Sequence, residues 1–110
     1  MKTVIKGGTV VTSTEQMSAD VLIDGEKVVA LAAPGSHDWE AGSDKVIDAS
    51  GKLVIPGGID VHTHMELPFG GTNASDSFET GSRAAAWGGT TTIVDFAVQV
   101  KGESAMDGFE

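Results

Sequence analysis

The chain reads as α/β, strands of a small β-sandwich followed by the start of a (β/α)8 barrel, and three observations carry that reading. Residues 1–55 are short apolar runs broken by turn residues, with no helical period. From Pro56 onward a strand, a glycine-rich loop, a helix and a second strand succeed one another, which is the repeating unit of a β/α barrel. A His-Thr-His triplet closes the first of those strands, the place where such barrels carry their working residues. The predicted domains are therefore 1–55, a sandwich segment, and 56–110, the first β/α units of an incomplete barrel.

Each element has a local cause. Residues 3–12 alternate weakly around Gly7-Gly8, which predicts two short strands joined by a tight turn. Residues 20–24 and 28–33 are further β segments, linked by the turn sequence Asp24-Gly25-Glu26-Lys27. Pro34-Gly35 ends that pattern, and the polar residues 36–44 are expected to form an exposed loop. His37 lies there beside Asp38 with no strand or helix to orient it, so it reads as a surface histidine rather than a metal ligand. Strand character resumes at Lys45–Asp48 and at residues 53–55, around Ser50-Gly51-Lys52.

After the histidines, Asp76 is expected as a helix N-cap, with Glu79 reaching back in a capping box. The helix should run through Arg83-Ala84-Ala85-Ala86-Trp87 and stop at Gly88-Gly89. Residues 90–98 are β-branched and apolar, a second, buried barrel strand. Ser104 then opens a further short helix. Such a helix is marginal alone, and two strands do not close a barrel, so the 110 residues are expected to be the N-terminal portion of a longer enzyme.

Composition excludes several functions. Seven basic against sixteen acidic residues give a net charge of −9, which disfavours nucleic acid and anionic membrane as partners. There is no cysteine, so disulfides are excluded and any zinc must be held by nitrogen and oxygen ligands. No apolar run approaches the roughly 18 residues of a membrane span, and MKTVIKGGTVV has no signal-peptide character. A cytoplasmic protein is expected.

In a strand, residues i and i+2 share a face with Cα atoms about 6.5–7 Å apart. Asp60, His62 and His64 therefore share one face, and two imidazoles so placed can tilt toward one ion at about 2.0–2.1 Å. On a helix the same spacing would splay them. An isolated His-x-His is often only a polar strand face; the barrel-like setting favours the metal. Asp60 is a candidate to orient a ligand from behind, or equally a polar group fixing the strand entrance. Asp95, at the end of the second strand, is a weaker candidate of the same kind, with capping or turn duty the alternative.

GGIDVHTH, the loop PFGGT and the strand GGTTTIVDFA resemble the metal-dependent cyclic amidohydrolases, and within them the dihydropyrimidinases or D-hydantoinases. The likeness runs along essentially the whole chain. It implies zinc-dependent hydrolysis of the cyclic amide of dihydropyrimidines or 5-substituted hydantoins to N-carbamoyl amino acids. It also implies two zinc ions, with His62 and His64 on the more buried one. A carbamylated lysine bridging the metals, two further histidines and an aspartate that shuttles protons are implied to lie outside these residues. Lys101 and Asp107 are not at matching positions, so no catalytic residue is assigned in this segment. Leu67, Phe69, Gly70 and Gly71 fall in the loop that in this family lines the entrance and selects the ring's exocyclic substituent; packing against a neighbouring domain is the ordinary alternative. The resemblance further implies a homotetramer, and the 110 residues alone are expected to be inactive. Allantoinase- or dihydroorotase-like activity is the alternative enzyme reading, but those relatives carry an arginine where this chain has MELPFGG. A non-catalytic scaffold on the same fold is disfavoured by the intact histidine pair.

Overall fold

The structure, a computed structural model, describes residues 1–109. It falls into two units, Met1–Pro56 and Gly57–Glu110.

The first unit is one five-stranded sheet. Its strands are β1 (Lys2–Val11), β2 (Gln16–Asp24), β3 (Lys27–Ala32), β4 (Lys45–Asp48) and β5 (Leu53–Val54). The order is β3-β2-β1-β4, with β5 also on β1. The two hairpin pairs are antiparallel, while β4 and β5 return parallel to β1. Because both late strands join the edge of β1, they widen the same sheet instead of building an opposing one. Among the described residues of this unit there is a single sheet, with no second sheet facing it. Val10, Ala19 and Val21 form its buried cluster, with Ile5, Met17, Ile23 and Val54 packed against it.

Gly7-Gly8 is not the turn expected from the sequence. β1 runs straight through it as one ten-residue strand, with a register shift between Ile5 and Gly8. Gly7 takes φ 71°, the left-handed value that a bulge demands. A Cβ on Gly8 would stand 2.6 Å from Val54 Cγ2 and 3.0 Å from Ala49 Cβ, so the second glycine permits a close approach. The glycine pair bends a strand; it does not end one.

Asp20 organises this unit. Its side chain is buried, with Oδ1 accepting the Gly7 amide and Oδ2 the Gly35 amide, both at 2.8 Å. The Gly35 amide foremost, and the Gly7 amide with it, hold the carboxyl below its ordinary value against the opposing effect of burial. The loop over residues 36–44 is as exposed as expected but not free. Glu40 pairs with Lys6, and His37 stacks on Trp39 with ring centroids 5.2 Å apart.

In the second unit, β6 (Gly58–Thr63) and β9 (Thr90–Asp95) are parallel and joined through helix α1 (Phe78–Trp87). Between β6 and α1 lies a small hairpin of β7 (Pro68–Phe69) and β8 (Thr72–Asn73). Gly57 admits Thr91 at a distance no side chain would tolerate, and the Gly58 amide donates to the Gly89 carbonyl at 2.8 Å. These contacts align the starts of the two strands.

The helix begins one residue later than the sequence suggests. Ser77, not Asp76, is the N-cap, and the capping box pairs Ser77 with Thr80. The Asp76 carbonyl is taken by the Glu66 amide at 2.9 Å, which holds Asp76 in the incoming loop. Glu79 instead pairs with Arg83 one turn on, at 3.0 Å. β9 stops at Asp95, short of the expected residue 98, because the Asp95 carboxylate bonds the Phe96 amide at 2.7 Å and turns the chain out of the ladder. The last expected helix is a short 3₁₀ segment, Ala105–Phe109, with the Ser104 amide donating to Asp107 at 2.8 Å. Among the described residues no helix is long and apolar enough to cross a membrane.

Candidate metal centre

Parallel pairing brings the carboxyl ends of β6 and β9 together, with Thr63 opposite Asp95. Thr63 Oγ1 donates to the Val94 carbonyl at 3.1 Å, a side-chain stitch across the two strand ends. His62 occupies the penultimate position of β6, and His64 follows the strand's last residue. Their Nε2 atoms stand 3.0 Å apart, with the rings nearly perpendicular at 78° and centroids 4.9 Å apart. The i, i+2 spacing and the extended backbone account for this convergence.

Phe96 completes the cluster. Its ring centroid lies 4.6 Å from that of His62 and 5.3 Å from that of His64. Sequence reasoning missed it, since Phe96 sits 32 residues beyond His64 and reads there only as the tail of a strand. The available signal was its position just past the carboxyl end of the strand parallel to β6.

The other candidates act on the backbone. Asp60 Oδ1 accepts the His62 amide at 3.1 Å, so it touches that residue through its main chain and not its ring. Asp95 Oδ2 accepts the Met65 amide at 3.0 Å, tying β9 to the residue after His64. Leu67 opens the loop, its carbonyl accepting the Ala74 amide at 2.8 Å. Phe69 is 81% exposed on β7, and the turn it enters is the two-residue Gly70-Gly71, with φ 60° and 81°. Two successive positive φ values define the primed hairpin turn that glycine serves best. Met65, Leu67, Phe78, Phe96 and Val98 line a hollow of about 360 Å³ beside this loop. His37 belongs to the other unit, and Asp107 caps the 3₁₀ segment.

Two donors can share an ion at about 2.0–2.1 Å only if they stand within roughly 4 Å of each other, and the 3.0 Å between the two imidazole nitrogens satisfies that. Neutral imidazole is also the commonest nitrogen donor to zinc. Among the described residues no group of three or more His, Asp or Glu side chains is placed to hold a metal ion.

A parallel β-α-β unit with two imidazole nitrogens converging at a strand end places the chain in the α/β class. The chain belongs to the amidohydrolase family, whose model matches residues 45–107, more than half of it. It is 62% identical over 110 residues to the D-hydantoinase of Streptomyces coelicolor, a match covering 99% of this chain and 24% of that protein. It is 47% identical to rat dihydropyrimidinase, covering 96% of this chain and 21% of that one. The crystal structure of dihydropyrimidinase from Brevibacillus agri superposes with a TM-score of 0.87 at 53% identity, over 99% of this chain and 23% of the other. The chain spans about a quarter of the length of these relatives.

Proposed function

We propose that this chain is part of a metal-dependent cyclic amidohydrolase that opens the ring amide of dihydropyrimidines and 5-substituted hydantoins, releasing N-carbamoyl amino acids. The convergence of His62 and His64 Nε2 carries the metal assignment. The 62% identity with a D-hydantoinase along the chain supports the substrate class. In this reading the parallel β-α-β unit opens a (β/α)8 barrel, and the enzyme is a soluble cytoplasmic homo-oligomer, a tetramer by family likeness.

His62 and His64 hold one zinc ion of a pair, with the remaining donors, including the carbamylated lysine, supplied by chain beyond these residues. When bound, zinc polarises the ring carbonyl and activates water at neutral pH. The residues of this chain position that chemistry. Asp60 restrains the His62 backbone and Asp95 the Met65 backbone, so the main chain that carries both imidazoles is held in place. Phe96 packs against both rings and shields one side of them from water. Leu67 and Phe69 face the ring's exocyclic substituent, on a hairpin shaped by Gly70-Gly71. With only two of the donors, the 110 residues alone bind zinc weakly and do not hydrolyse.

The test is a substrate panel on the full-length zinc-loaded protein. Hydrolysis of dihydrouracil and hydantoin well above that of allantoin and dihydroorotate supports the proposal. The reverse order, or no hydrolysis of any of the four, overturns it.

A further inference from the structure

We propose that Glu66 is a positioning residue for substrate discrimination, fastening the root of the 67–72 loop to the start of α1; the inference rests on the reading of that loop as substrate-facing. Glu66 is the single non-glycine residue with positive φ among the described residues, at 57°. That region is unfavourable for a side chain with a Cβ, and such a conformation persists only where its surroundings hold it. Here three links do so. The Glu66 amide donates to the Asp76 carbonyl at 2.9 Å. Its Oε1 accepts the Phe78 amide at 3.1 Å, an otherwise unpaired N–H of the helix's first turn, where a carboxylate is also favoured by the helix dipole. The preceding amide, of Met65, is held by Asp95.

The consequence falls on the next residue. Leu67 leaves Glu66 directly, and its carbonyl closes the hairpin root on Ala74. The orientation of β7 and β8 is therefore set by a left-handed residue whose carboxylate is anchored to α1. Without that anchor Glu66 relaxes to an ordinary φ, and a change there swings the hairpin while His62 on β6 and His64 just past its end, with the next amide held by Asp95, stay in place. Glu66 thus acts on which substituent fits and not on whether metal binds.

The experiment uses the full-length zinc-loaded enzyme and compares hydantoin with a 5-aryl hydantoin. In Glu66→Ala the ratio of kcat/KM for the two substrates is expected to move at least fivefold, with parental zinc content and faster chymotryptic cleavage after Phe69. Glu66→Asp keeps the charge and tolerates left-handed backbone but cannot reach Phe78, so it is expected to behave like Glu66→Ala. Glu66→Gln keeps an acceptor oxygen at the same reach and is expected to hold the ratio within twofold of parent. An active parent whose Ala and Asp variants keep the ratio, or lose both rates equally with a lower Tm, overturns the inference, as does failure of both to fold. A Glu66→Gly variant that keeps the parental ratio also overturns it, since backbone freedom alone would then suffice. A parent that hydrolyses neither hydantoin overturns the proposed function instead.

Discussion

Asp95 Oδ2 lies 3.0 Å from the Met65 amide, so the last residue of β9 holds the main chain one step beyond His64. The same carboxylate takes the Phe96 amide through Oδ1, which places the ring that touches both histidines. One side chain thereby ties together the two strand ends and the two sides of the histidine cluster.

Asp95→Ala is expected to weaken zinc binding in the full-length protein by about 10–100-fold, the usual cost of removing a group that holds a ligand in place. Asp95→Asn keeps one acceptor oxygen and should lose less. Chelator competition on purified variants measures both. Parental zinc affinity in Asp95→Ala would show that the clamp has no bearing on the metal.

His62→Ala and His64→Ala each remove half of the converging pair and leave β6 otherwise as it is. Both imidazoles are exposed in this chain, so their loss opens no core cavity and the fold should survive. Zinc content by mass spectrometry is expected to fall, with turnover falling alongside it. Full zinc and normal turnover in either variant would sink the metal assignment.

Strand positions and the histidine pair were legible because their causes are local. In Lys45–Asp48 the β-branched pair Val46-Ile47 stands between charged and turn residues, and the i, i+2 rule alone puts His62 and His64 on one side. What escaped depends on partners distant in sequence. Gly7-Gly8 looks like any hairpin turn until Val54 is found pressed against it. Asp20 looks like an ordinary strand-end acid, and nothing near it announces that Gly7 and Gly35 will both donate to it. The N-cap was misplaced by one residue because Asp76 and Ser77 are equally good caps, and the choice is made by Glu66 ten residues upstream. Strand count likewise does not say which strands flank β1, so the parallel return of β4 and β5 to it was not legible.

Asp20 gives a pH prediction with a definite sign. Its folded carboxyl sits below the ordinary value of 3.8, so its ionised form stabilises the fold. That contribution is fully present above the ordinary value and is lost as pH falls through the lower folded value. Asp20→Asn retains one acceptor oxygen, leaves one of the two amides short of its partner, and should cost about 1–3 kcal/mol at pH 7. Urea midpoints are the measurement. The gap between parent and Asp20→Asn should be wide at pH 7 and narrow as pH falls through the lowered folded value; a gap independent of pH would mean that the charge contributes nothing.

Leu67 and Phe69 are expected to govern which substrate is chosen more than how fast it reacts. Leu67 lines the hollow that Phe96 also lines, and Phe69 projects from β7 with little of its ring covered in this chain. Trimming either to Ala removes several methylene equivalents of apolar surface, and even one such group in a pocket is worth about 1–3 kcal/mol of discrimination. The aromatic ring against the imidazoles is that of Phe96, not Phe69, and neither Leu67 nor Phe69 carries a metal-binding donor, so zinc content should be parental. The ratio of kcat/KM for a bulky against a small 5-substituted hydantoin is therefore expected to shift about tenfold in Leu67→Ala, Phe69→Ala or both. If both ratios stay within twofold of the parent, the loop serves only packing, and the substituent is selected elsewhere in the protein.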